Sequence, residues 1–180
     1  VQSGFGRTGK WFAFEHFEVV PDILTAAKGI ASGMPLSGVF TSTDIMLKLD
    51  VGSIGGTYGG NAIACAAGVA TIRAMREEKM LENATDKGIQ LMTGLRKLQE
   101  EYPQIGDVRG KGLMLGIKMK FEAREFVGHL RDNHQLLTVA AGDNTLRLVP
   151  PLVIEDAEID EFFEKLSAGT ASYQPPAAAS

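Results

Sequence analysis

The chain has 180 residues, 44% of them hydrophobic and 22% charged, an ordinary globular composition that excludes a disordered or fibrous protein. Eighteen Lys and Arg against 22 Asp and Glu give a net charge of -4, with no basic stripe to hold nucleic acid. A single cysteine, Cys65, excludes an internal disulfide, no apolar run is long enough for a membrane span, and the composition reads as cytoplasmic.

The chain opens on glycine: 11 of the 21 glycines fall in the first 60 residues, which predicts a site built from loops in that half. Gly4-x-Gly6-x-x-Gly9 fits a dinucleotide fingerprint, and Gly4-x-x-x-x-Gly9-Lys10 fits most of a P-loop. Both are weak matches. Trp11 stands where a P-loop needs Ser or Thr, and both motifs need a helix to start at the last glycine, whereas the aromatic run Trp11 to Phe17 offers no cap.

Asp22-Ile23-Leu24-Thr25 and Leu36 to Thr41 are short apolar runs between Gly and Pro, as expected of strands buried within an α/β sheet. Lys28 follows the first of them among small apolar residues. An isolated lysine is usually solvated surface, but an apolar setting disfavours an ammonium and suits a lysine to attack a carbonyl as an amine. The segment 41–50 predicts a short helix. Gly55-Gly56-Thr57-Tyr58-Gly59-Gly60 places a hydroxyl between glycine pairs, where Thr57 and nearby amides could hold a phosphate; a plain tight turn explains the run equally well. Asn61 is placed to cap a small-residue helix beginning at Ala62, a composition that implies close packing.

Ile89, Met92, Leu95, Leu98 and Tyr102 keep helical spacing up to Pro103 and predict a second helix, with Arg76 to Lys79 before it. Strands are expected over 108–119, a helix over 121–133, strands at 136–139 and 145–149 flanking the turn-forming Ala141 to Asn144, and a last helix over 155–166. Arg147 alternates with Leu146 and Leu148, either as a solvent-facing edge residue or as a fork for a carboxylate. His16, His129 and His134 lack metal-ligand spacing with one another or with Cys65. The division expected is 1–75 as one domain, 76–166 as a small α+β domain, and 167–180 as a disordered tail, because that tail is uncharged and nearly without large apolar groups.

Four of these segments, in order, resemble the class III (ornithine, acetylornithine and gamma-aminobutyrate type) pyridoxal-phosphate aminotransferases. Val1 to Gly9 is similar to the end of that family's Asp-Glu-Val-Gln signature and its glycine-rich continuation, Pro21 to Gly29 to its cofactor-lysine segment, Gly56 to Asn61 to its phosphate turn, and Leu146 to Leu152 to its substrate-carboxylate strand. The resemblance runs to about Leu166 and implies α/β architecture of the fold-type-I transferase kind: part of a large domain followed by a C-terminal α+β domain. It also implies pyridoxal 5'-phosphate as cofactor, Lys28 as its covalent amine, Gln2 at its phenolic oxygen, Thr57 at the phosphate of a partner subunit, and Arg147 on the substrate carboxylate. The enzyme so implied is a homodimer with shared sites, of which this chain would be about the C-terminal half. Leu136 to Asn144 is similar to the acetylornithine enzymes of arginine biosynthesis, whereas Gly56, where those enzymes usually carry serine, resembles the gamma-aminobutyrate type. The expected reaction is transfer of an amino group from an ω-amino donor, N-acetylornithine first and gamma-aminobutyrate second, to 2-oxoglutarate. From other classes come a nucleotide-binding protein using Gly4 to Lys10 and an inactive or interaction subunit.

Overall fold

A computed structural model describes residues 1–175 as two compact units, Val1–Leu81 and Glu82 onward. The division falls later than the expected 75/76 boundary because helix α2 (Ala62–Glu77) is continuous to Glu77. The chain then turns through Lys79, at φ 51°, into α3 (Met80–Glu101).

In the first unit, β1 (Ile23–Ala26) and β2 (Gly38–Thr41) pair antiparallel, with Ile23 opposite Thr41 and Ala26 opposite Gly38. They are not the buried strands expected from their composition: Ile23, Val39 and Phe40 are all exposed, because among the described residues this sheet has two strands only. The expected helix at 41–50 is a single turn, α1 (Thr43–Met46), whose Ser42 side chain accepts from the Ile45 amide.

α2 accounts for the packing of this unit. Asn61 Oδ1 accepts from the amides of Ile63 and Ala64, both at 3.1 Å, so the cap read from sequence starts the helix. Its buried face, Ala64, Gly68 and Met75, lies against a 3-10 turn at Lys28–Ala31. A Cβ at Gly68 would come within 2.9 Å of Leu36 Cδ2 and 3.4 Å of the Ile30 carbonyl, so the small residues serve a close helix-to-turn approach.

In the second unit, β3 (Ile105–Lys111), β4 (Met114–Met119), β5 (Val139–Ala141) and β6 (Thr145–Leu148) form one antiparallel sheet in the order β3-β4-β6-β5. A bulge between Ile105 and Asp107 lets Ile105 and Val108 both face inward, although three residues apart. Leu115, Ile117 and Met119 alternate inward on β4, and Leu146 and Leu148 do so on β6, onto α3, α4 (Ala123–His134) and α5 (Asp156–Ser172).

Two expectations fail here for tertiary reasons. The strand expected at 136–139 begins only at Val139, because Gln135 (φ 51°) ends α4 and the Leu136 amide closes that end on the Leu130 carbonyl. The expected tail from 167 is helical to Ser172: Gly169 sits so close to Leu130 of α4 that a Cβ would collide with it, Thr170 is buried, and Tyr173 packs on Phe121 and Phe126. Residues 176–180, the rest of that expected tail, lie outside the described residues.

Candidate active site

The site expected from sequence falls on both units, and each part stands on its own geometry. In the first, β1 leads from the buried Ala26 to Ala27, still extended, and then to Lys28 at φ 55°. A left-handed lysine costs of order 1–2 kcal/mol relative to a helical or extended one. Ile30 and Ala31 beyond it are buried, whereas Lys28 itself is exposed. The apolar enclosure expected around it is therefore not built by this unit: the chain turns at Lys28 with Gly29 also exposed, and burial resumes only at Ile30. Among the described residues its ammonium has no hydrogen-bond or ion-pair partner.

The opening glycines support this turn instead of a nucleotide. No helix starts at Gly9; the next element is a 3-10 turn at Ala13–His16, so no row of helix amides faces the loop, and neither the dinucleotide nor the P-loop geometry is present. Phe5, buried at φ 50°, lies against Gly29, where a Cβ would stand 3.0 Å from the Phe5 Cβ. The residue after the lysine is thus fixed by the loop that carries Gln2. Thr8 is buried, with its carbonyl and hydroxyl each 3.1 Å from His16 Nε2, and burial lowers the pKa of the half-buried Arg7 from its ordinary value. A cavity of about 220 Å³ opens between this loop and β1, lined by Ser3, Phe5, Phe12, Leu24 and Ala26 among others. Phe5, Gly29 and Gly68 escaped the sequence reading as site residues; a glycine directly after the lysine and another inside a helix were the available signals.

Thr57 is exposed on a turn closed by the Gly59 amide on the Gly56 carbonyl at 2.9 Å, immediately before the Asn61 cap. Gly56 has neither positive φ nor any atom within 4 Å of a would-be Cβ, so local packing does not demand glycine there. Lys28 and Thr57 flank α2 in the same unit: the helix rests on the lysine turn and begins at the threonine turn.

Arg147 is half-buried on β6, opposite Gly116 of β4 and Val139 of β5, between the buried Leu146 and Leu148. It is not an edge residue, since β6 is an inner strand, and its side chain is only partly accessible. It lines a cavity of about 350 Å³ whose other walls are mostly apolar, including Leu136, Val139, Pro150 and Phe162. Such a setting strengthens a guanidinium–carboxylate pair relative to water.

Comparison with known proteins decides the family. The description Aminotransferase class-III matches residues 1–169. The chain belongs to the class-III aminotransferases. It is 42% identical over 170 residues to an acetylornithine aminotransferase of Mesorhizobium japonicum, covering 94% of this chain and 42% of that protein. It is also 42% identical over 179 residues to a 4-aminobutyrate aminotransferase of Escherichia coli, covering 93% of this chain and 42% of that one. The crystal structure of the acetylornithine aminotransferase from Elizabethkingia anophelis superposes with a TM-score of 0.88 at 34% identity, over 96% of this chain and 44% of that one. The chain thus spans about two fifths of the length of these relatives, and its architecture is that of the fold-type-I pyridoxal-phosphate transferases. Pyridoxal 5'-phosphate is the cofactor of this family.

The donors present fit such a group: an amine without a partner among the described residues for an aldehyde, an exposed hydroxyl in a glycine turn for a phosphate, and a side-chain amide at Gln2. Among the described residues, no three His, Cys, Asp or Glu side chains gather as a metal site, and no helix is long and apolar enough to cross a membrane.

Proposed function

We propose that the complete protein carrying this chain transfers an amino group from an ω-amino donor, N-acetylornithine before gamma-aminobutyrate, to 2-oxoglutarate. The observation that carries the reading is Arg147, a half-buried fork in a mostly apolar cavity, on a chain of a family whose members act on amino acids. In this reading the first unit belongs to the large domain and the second is the small one.

The cofactor, when bound, supplies the electron sink for breaking a C–H bond. The chain's own residues supply the rest. Lys28, exposed and without an ion-pair partner among the described residues, provides the neutral amine that would hold the cofactor and afterwards move the proton at the donor's amino-bearing carbon. Gln2 hydrogen-bonds the phenolic oxygen, and Thr57 reaches the phosphate held by a partner subunit in a homodimer. Arg147 binds the carboxylate common to glutamate and 2-oxoglutarate and orients the acceptor.

The order of donors rests on the resemblance of Leu136 to Asn144 to the acetylornithine enzymes, beside a relative of that name at 42% identity over 170 residues. One observation favours the second donor. Gly56 is a glycine by neither backbone nor packing necessity, so its lack of a side chain reads as room for substrate, as in the gamma-aminobutyrate type. Steady-state assay of the complete holoenzyme with both donors and 2-oxoglutarate tests the reading. A higher kcat/KM for N-acetylornithine supports it, a higher value for gamma-aminobutyrate selects the alternative, and turnover with neither refutes both.

A further inference from the structure

The segment after Arg147 needs an anchor that the sheet does not provide. Pro150 and Pro151 have no amide hydrogen, so they cannot extend the ladder of β6, yet both line the Arg147 cavity together with Ile154. The anchor comes from α3. Asn83 Nδ2 donates to the Leu152 carbonyl at 2.8 Å and to the Ile154 carbonyl at 3.1 Å, bracketing Val153. One turn further along α3, Lys87 Nζ meets Asp156 Oδ1 at 2.5 Å, and the Gln90 side chain hydrogen-bonds the same carboxylate. Residues 83, 87 and 90 recur on one helix face, so a single polar stripe holds 152–156.

The three ties are not equal. Asp156 is largely exposed, and an ion pair with one solvated partner contributes little. Both bonds of Asn83 are part-buried and satisfy two carbonyls that no strand partner reaches, so losing them leaves polar groups without compensation.

We propose that Asn83 is a positioning residue for the carboxylate-binding cavity. By fixing Leu152 and Ile154 it holds the Pro150–Ile154 wall beside Arg147, keeps the cavity narrow, and limits the water that would screen the guanidinium from a bound carboxylate. The proposal rests on the assignment of Arg147 to the acceptor carboxylate and adds what sets its affinity.

The test uses the complete holoenzyme with Asn83→Asp, which keeps the size but replaces the donating amide by acceptor oxygens, and Lys87→Met, which removes only the exposed tie. KM for 2-oxoglutarate, KM for the amino donor, kcat, and amide exchange at Leu152, Val153 and Ile154 are measured together. Asn83→Asp is expected to raise KM for 2-oxoglutarate about tenfold, to leave kcat within about twofold, and to speed exchange at those three amides. Lys87→Met should move KM by no more than about twofold. Faster exchange with an unchanged KM for 2-oxoglutarate would make the tie merely structural and overturn the proposal, and so would unchanged exchange. Should Asn83→Asp fail to fold, Asn83→Ser, which removes the long donor without adding a charge, carries the same comparison under the same criteria. A wild-type enzyme that does not saturate with 2-oxoglutarate at all contradicts the Arg147 assignment instead, and is told apart because the exchange difference would persist.

Discussion

Gly68 of α2 faces the Ile30 carbonyl, two residues beyond Lys28, at a distance where an added Cβ would stand 3.4 Å from that oxygen. The same Cβ would come within 2.9 Å of Leu36 Cδ2, the far end of a flexible side chain. Alanine there should be close to neutral, because Leu36 can yield and a helical Gly→Ala change gains about 1 kcal/mol in propensity. Gly68→Val should instead press on the lysine turn and cost about 1–3 kcal/mol as overpacking. Thermal unfolding of the two variants, with cofactor retention after gel filtration as the second readout, checks this. Equal stability of the valine and alanine forms would show that the helix-to-turn contact is loose.

Arg147→Ala should weaken 2-oxoglutarate binding by about 2–4 kcal/mol, and Arg147→Lys should recover only part of it, because an ammonium cannot reproduce the planar fork. Cofactor content should be unchanged in both, since Lys28 and Thr57 are untouched. Acceptor saturation curves give the result, and wild-type KM in the alanine variant would remove Arg147 from the site.

Gly56→Ser should fold normally, as no atom lies within 4 Å of the new Cβ, and should change the ratio of kcat/KM between N-acetylornithine and gamma-aminobutyrate in favour of the former. A shift of several-fold is the scale of one added polar contact, about 0.5–1.5 kcal/mol. An unchanged ratio would mean that this turn does not select the donor.

Tyr173 titrates above its ordinary value, chiefly through burial and further through the charge and hydrogen bond of Glu125 and the charge of Glu122. A phenol whose folded pKa is raised contributes stability that is complete below about pH 10 and is lost as pH rises through the folded value. Denaturant midpoints should therefore fall more steeply on the alkaline side for wild type than for Tyr173→Phe, which keeps the ring contacts to Phe121 at 4.9 Å and Phe126 at 5.1 Å. Parallel alkaline profiles for the two proteins would contradict the coupling.

What could be read from the sequence was what local chemistry decides. The Asn61 cap, the small-residue helix after it, Leu95 and Leu98 on α3, and the inward Leu146 and Leu148 beside Arg147 each follow from a pattern within a few residues, whereas Ile89, expected on the same stripe of α3, is exposed and Leu91 is buried in its place. The misses come from contacts distant in sequence. Ser167 to Ser172 looks like tail by composition, and only the notch that Leu130 fills at Gly169, with the aromatic cluster around Tyr173, makes it helix. The exposure of β1 and β2, and of Lys28 between them, depends on which other elements lie over them, which no local pattern encodes. Asn83 looks like any polar residue in a helix until its two carbonyl partners, 69 and 71 residues away, are seen.

The account turns on one amine. Borohydride reduction of the complete protein with pyridoxal 5'-phosphate bound, followed by peptide mapping, fixes the cofactor to whichever lysine holds it. The label is expected on Lys28 within the peptide that contains Leu24-Thr25-Ala26-Ala27, and Lys28→Ala should take up none. A label on Lys10 or Lys48 with Lys28 unmodified would contradict the assignment of the strained turn as the catalytic centre.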